Sequence, residues 1–200
     1  MLKGLKFQIF IFIVLFSVVN CTTVSHNTKK DITKYANLKC ANLSNKNLSN
    51  ANLTGANLCD ADLSNSNMSH AILTETKLER AILRGADLTQ ANFSKSNLQS
   101  ADLCSVLASG TNFSTSNLKN TSFKGAILNF SNFSYSNLQG ADLFGADLTN
   151  SDLTSADFTG ANLFSDLSGA NLDGAIISSR WKNHIKSQKV KFYETIIWVD

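Results

Sequence analysis

This chain of 200 residues has little of what enzymes and metal proteins are usually built from. Its three histidines, His26, His70 and His184, are scattered and share no metal-ligand spacing. Ser and Thr recur too often for a nucleophile to be picked out by type. No catalytic set and no cofactor site are therefore expected. No stripe of Lys and Arg interleaved with aromatics runs through the chain, so direct nucleic-acid binding is not expected either. Charge is sparse, at 16% of residues, and the formal net of +3 conceals a split. Between Ala36 and Ile177 eight basic residues stand against twelve acidic ones, and from Gly125 to Ile177 there are six Asp and no Lys or Arg.

What the chain does have is a period. From Leu38 to Leu163, twenty-six positions spaced five apart carry Leu, Phe or Met, with Ala108 the single exception. Two places before each centre stands Ala, Ser or Thr in 24 of the 26, Lys46 and Val106 being the exceptions; one place before it stands Asn or Asp in 20. The unit reads A(D/N)LXX, as in Ala51-Asn52-Leu53-Thr54-Gly55. After Leu163 one step shortens to four, giving Leu167, and fives resume at Leu172 and Ile177, for 29 units in all. A helix repeats apolar residues at 3.6 and a strand at 2.0, so a strict five fits neither, and the chain must turn regularly. With the centre and the small residue both facing inward, each unit gives one large and one small side chain to an interior and leaves three positions to solvent.

These residues closely resemble the pentapeptide-repeat family over about 36–177. The resemblance, not the period, implies an all-β fold, a right-handed quadrilateral β-helix with four units per coil and about seven coils. Stacked Leu and Phe columns then fill the bore, which leaves no ligand pocket inside. Residues twenty apart lie above one another. One outward column reads Ser44, Ser64, Arg84, Cys104, Lys124, Phe144, Phe164. Phe144 and Phe164 form an exposed apolar pair with Lys124 placed for a cation–π contact, either covered by the C-terminal tail or open to a partner or second copy. Phe130 and Tyr135 are further outward aromatics and join this candidate partner surface. Around Ser105 to Gly110, Val106 and Ala108 imply either a compensating swap of volumes or a bulge that turns Leu107 inward.

Asp142, Asp147, Asp152 and Asp157 occupy one position in four successive units and should form an acidic ring around about one turn. Such Asp residues suit backbone bonding at corners. Some relatives in the family imitate DNA and bind gyrase, conferring quinolone resistance, and the ring raises that alternative. Lys39, Lys46, Lys77, Arg80, Arg84 and Lys95 in the first half speak against an extended acidic face. Cys40 and Cys59, nineteen apart, fall on adjacent coils of one face; they are expected either to form a disulfide in an oxidising compartment or to stay as two outward thiols.

The ends differ in composition. Residues 1–20 place Lys3 and Lys6 before an apolar run from Ile9 to Val19, too short for the ~20 residues of a spanning helix, and resemble a secretory signal. Val18-Val19-Asn20-Cys21 is similar to a bacterial lipobox with Cys21 as the lipidated residue, although Asn20 departs from the usual small residue; an uncleaved anchor is the rival reading. Residues 21–35 read as a polar tether. Residues 178–200 read as a C-terminal cap, a short helix carrying Trp181 and Ile185 followed by a strand carrying Trp198, with the two tryptophans as plugs for the raw solenoid end. Basic residues in this tail also suit lipid headgroups. The reading is a non-enzymatic, exported bacterial repeat protein, membrane-anchored at the periplasmic or cell surface through lipid or anchor, binding or scaffolding protein partners that the sequence does not name and capable of forming a homodimer. The alternative is a DNA-mimicking inhibitor or protector of a cytosolic type II topoisomerase.

Overall fold

The computed structural model describes residues 34–200. Residues 1–20 and Cys21, on which export and lipidation rest, lie outside the described residues.

The five-residue unit is a complete hydrogen-bonding device, as Ala56 to Asp60 shows. The Ala56 amide closes a turn onto the Leu53 carbonyl (2.9 Å), the Asn57 amide reaches back to Ala36 (2.9 Å), and the Leu58 and Asp60 amides reach forward to Lys77 (2.7 Å) and Glu79 (2.9 Å). The fifth donor, the Cys59 amide, is taken by the Asn57 side-chain oxygen (3.2 Å). A polar backbone turned this often would otherwise strand that corner amide, which is why Asn or Asp precedes the centre so regularly. The corner itself is left-handed: Asp60 has φ 61° and its equivalents repeat that value along the chain. Parallel bridges join each Asn or Asp to the residue twenty further on, so four units make one coil and the bridge columns define four faces.

Inside, centres and small residues are buried along the whole rod. Phe93, Phe113 and Phe133 stack on one face at ring separations of 5.2 and 5.0 Å, and Phe123 meets Phe113 and Phe133 edge-on from another. Buried Ser and Thr satisfy their hydroxyls on backbone carbonyls, Ser66 on Leu63 (2.8 Å) and Thr111 on Leu88 of the preceding coil (2.7 Å). Val106 and Ala108 are both fully buried, Leu107 points outward, and its bridges to Asp87 and Ile127 keep the twenty-residue step. The irregular unit is thus a swap of volumes, and the bulge is excluded because the ladder register is unbroken.

The shortened step does change the register. Bridges before it span twenty residues and those across it span nineteen, as in Asp147 with Asp166. The corner loses its left-handed residue, and the Ser165 amide folds back onto the Leu163 carbonyl (2.8 Å) in a tight three-residue turn.

The tail closes the open end one face at a time. Strand β1 (Ile176–Ser178) is followed by a 3-10 turn, helix α1 (Lys182–Lys186) and strand β2 (Ile197–Val199), which pairs in parallel with β1. Where no strand lies, side chains substitute for one. The Ala161 carbonyl accepts from Arg180 (2.8 Å) and from the Trp181 indole (3.1 Å), the Gln188 amide group donates to Ser165 (3.0 Å) and accepts from the Leu167 amide, and backbone bonds from Gly169 and Leu172 end on Lys189 and Lys191. The plugs are aliphatic: Ile185 is fully buried and Ile196 nearly so, whereas Trp181 and Trp198 lie half-buried at the rim, under Arg180 and Lys182 respectively. A flat indole covers an edge better than it fills a bore already narrowed to Leu-sized columns. Among the described residues no helix is long and apolar enough to cross a membrane.

Candidate functional site: an aromatic corner near the end of the rod

The outward column beginning at Ser44 exists as read from the period, and its last members are rings. Phe144 and Phe164 stack at 5.5 Å with an 18° tilt, and the column continues into the cap as His184, stacked on Phe164 at 5.3 Å and 22°. The tail adds one ring to the end of this stack, covering the second face of Phe164 but leaving the ring edges open, for Phe144 remains 53% and Phe164 55% exposed. Lys124 does not sit over Phe144. Its ammonium pairs with Asp142 at 2.9 Å, a carboxylate one coil on that offers a stronger attraction than a ring face. The same diagonal recurs at Arg84 and Asp102, 2.6 Å apart.

Phe130 and Tyr135 stand at the next two corners around the rod, each in the left-handed position with φ 57° and 56°. They are exposed but are not brought together with Phe144 and Phe164. A pair that reading by outward corners missed lies on the flat face beside the aromatic corner: Leu107 and Ile127, bridge partners in adjacent coils, both substantially exposed. Its signal was available, two apolar residues twenty apart at the position that Asn or Asp normally fills.

Between the aromatic corner and that face runs a groove of about 270 Å³ lined by Gly145, Ala146, Asp147, Phe164, Asp166 and His184. The shortened step makes it, since the missing residue lowers the corner after Phe164. Gly145 deepens it: a Cβ there would meet nothing within 4 Å.

A match to the family described as "Pentapeptide repeats" covers 36–178 in overlapping segments and eight copies. The chain belongs to the pentapeptide repeat family. A search of curated proteins finds no match. Among solved structures, HetL from the cyanobacterium Nostoc, a pentapeptide repeat protein involved in heterocyst differentiation regulation, is 29% identical over 74% of this chain and 73% of its own, with a TM-score of 0.43. A trypsin-treated QnrB1, described as a plasmid-mediated fluoroquinolone resistance protein, is 18% identical over 78% of this chain and 77% of its own, with a TM-score of 0.61. The full-length QnrB1 gives 19% identity, 76% and 79% coverage and a TM-score of 0.58. The QnrB1 likeness carries the fold, a right-handed β-helix.

The repeat logic of the family accounts for the four aspartates. Each accepts its own corner amide: Asp142 from Phe144 (3.1 Å), Asp147 from Thr149 (2.9 Å), Asp152 from Thr154 (3.1 Å) and Asp157 from Thr159 (2.9 Å). Successive units face different sides, so the four point in four directions and form no single acidic face. Partial burial works against the charge of Asp157, but bonds from Thr159 and Gln139 outweigh it and hold the carboxyl below its usual range. At Asp142 the Lys124 ammonium and the Phe144 amide do the same.

Cys40 and Cys59 are not joined to one another by a disulfide. Their backbones are adjacent, the Cys40 amide bonding to the Cys59 carbonyl at 2.9 Å, but the one-residue offset puts the side chains in different columns. Cys59 Sγ instead donates to Glu79 at 2.8 Å. Burial and that carboxylate push its pKa up to about 11.

Proposed function

We propose that this chain is an exported, membrane-anchored, non-enzymatic pentapeptide repeat protein of bacterial type, whose rigid rod presents the Phe144–Phe164 corner to a protein partner. The exposed ring pair carries this reading. A filled bore offers no room for a substrate, so recognition falls to the outside, and stacked aromatics left in solvent on a hydrogen-bonded scaffold are what a docking surface needs. Export and the lipid on Cys21 rest on residues 1–21 of the sequence. They predict membrane-bound label in cells that disappears in a Cys21→Ser variant; soluble, unlabelled native protein would remove the anchor from the proposal. Changing Phe130, Tyr135, Phe144 and Phe164 together to Ser should abolish capture of a partner or self-association. If neither changes, the corner has no binding role.

A second reading, a DNA-mimicking protector of a cytosolic type II topoisomerase, draws on the fold shared with QnrB1 and on the absence of basic residues after Lys124 in the coils. Its weakness is geometric, because the aspartates are spread over four faces and tied to corner amides. Residues 22–200 in a gyrase supercoiling assay test it, and lack of inhibition at micromolar protein counts against it.

A further inference from the structure

The groove beside Phe164 combines three features found together nowhere else among the described residues. The first is the exposed ring stack that forms one wall. The second is the depression left by the shortened step, open enough to admit a side chain. The third is a pair of facing carboxylates on the opposite wall. Asp147 and Asp166 are bridge partners on adjacent coils, and among the bridged pairs they alone set two carboxylates directly opposite one another. Elsewhere an Asp faces Asn, Ser, Ile or Leu across the ladder, as Asp142 faces Ser122 and Asn162. Like charges facing each other at a spacing of ~4.8 Å destabilise a sheet pair. Each carboxylate accepts a corner amide on Oδ1, that of Thr149 for Asp147 and that of Ser168 for Asp166, both at 2.9 Å; the Ser168 hydroxyl bonds Asp166 as well, and each carboxylate keeps acceptor capacity for an outside donor. Neither has an ion-pair partner among the described residues, although Lys189 stands on the far side of Asp166.

We propose that this groove receives a cationic side chain, Arg or Lys, from an extended partner segment whose neighbouring residues are apolar. The charged head would bridge the free oxygens of Asp147 and Asp166, its stem would lie along the exposed edge of Phe164, whose two faces are taken by Phe144 and His184, and a flanking apolar residue would reach Phe144 on one side or Ile127 on the other. The inference rests on the reading that this corner binds protein and adds the partner's chemistry to it.

The motif itself supplies a clean test. Asn and Asp are interchangeable at these positions, so Asp147→Asn with Asp166→Asn removes both charges and keeps both corner bonds. Binding of two labelled synthetic peptides, one alternating Arg with Leu and one alternating Glu with Leu, is measured on the full chain by fluorescence anisotropy, beside phosphatidylcholine vesicles. The expected result is binding of the Arg–Leu peptide alone, weakened about tenfold by the double Asn variant, as the loss of a close charge pair implies. Asp152→Asn with Asp173→Asn, outside the groove, should leave it unchanged. Phe144→Ser with Phe164→Ser should weaken it comparably. Equal binding of both peptides, unaltered affinity in the double Asn variant, or groove-dependent binding of the choline headgroup overturns the proposal. Equal binding that the two serines abolish would sink the cationic specificity and leave the protein-binding corner standing. Loss of neither peptide nor partner capture in the serine variants would sink both.

Discussion

Two stretches of one corner column show how this fold divides its labour. In the earlier coils the column pairs charges diagonally, Arg84 with Asp102 and Lys124 with Asp142; in the later coils the same backbone positions carry stacked Phe144 and Phe164. The ladder beneath is indifferent to the change, with Arg84, Lys124 and Phe144 all standing in the same turn, which is lost only at Phe164, where the step shortens. Stability therefore resides in the inward pair and the Asn or Asp that serves the corner amide, and the corner side chains are free to carry recognition. The largest expected effect follows at once. Phe113→Ala, in the middle of the inner ring stack, should cost about 3–5 kcal/mol in urea unfolding, while Phe144→Ser with Phe164→Ser should stay within about 0.5 kcal/mol. Equal costs would mean that the corner rings hold the fold together.

The end of the rod sharpens the contrast, because there side chains take over work that backbone does elsewhere. Gln188 accepts from Leu167, donates to Ser165 and touches His184 Nε2 at 2.8 Å. Gln188→Ala should cost about 2 kcal/mol, mostly by leaving a Leu167 amide without its acceptor. Hydrogen exchange should show the loss confined to the last coil. In the middle of the rod Asn92→Ala, which frees the Ser94 amide bonded at 3.0 Å, should cost about 1 kcal/mol, and Asn92→Asp close to nothing. A cost for Asp as large as for Ala would show that charge, not the corner bond, decides this position.

How much of this was legible in advance depended on whether a contact follows the period. The inward columns, the burial of every Leu, Phe and Met centre and the vertical stacking of Phe144 on Phe164 come directly from spacing. The charge pairs do not, because they run diagonally to i+18 as well as vertically to i+20, which is why Lys124 reached Asp142 and not a ring. The cap was legible as an element and not as chemistry. Tryptophans invite a plugging role, but Ile185 and Ile196 match the Leu columns they continue. The groove was illegible for another reason: the shortened step after Leu163 stands in the sequence, but a single break in the period does not say what shape it leaves on the surface.

Acid separates the two stretches by charge. The Arg80 guanidinium, bonded at 2.7 Å, holds the Asp60 carboxyl below its usual range, and bonds from Ser168 do so for Asp166. A carboxyl with a folded pKa below its unfolded value, near 3.9, stabilises the fold above that value and loses its contribution as pH falls toward the folded pKa. The urea midpoint should be flat down to about pH 5 and then fall. Asp142→Asn with Asp157→Asn, which keeps both corner bonds, should make the fall shallower. An unchanged slope would show that these two carboxyls carry no linkage.

The smallest effect concerns a single thiol, and it tests whether corner residues in adjacent coils act on one another through space. Cys59 donates to Glu79 one coil on, and burial together with that carboxylate keeps it protonated far above neutral pH. Since the thiolate is the reacting species, alkylation of Cys59 at pH 8 should be slower than that of a thiol in the urea-unfolded chain. Glu79→Gln removes the negative charge and should speed alkylation several-fold, roughly as the thiolate fraction rises, without moving the urea midpoint. The corner would then be a place where chemistry changes at no cost to the fold, which the aromatic stretch requires. A rate that ignores Glu79 would mean that burial alone governs the thiol.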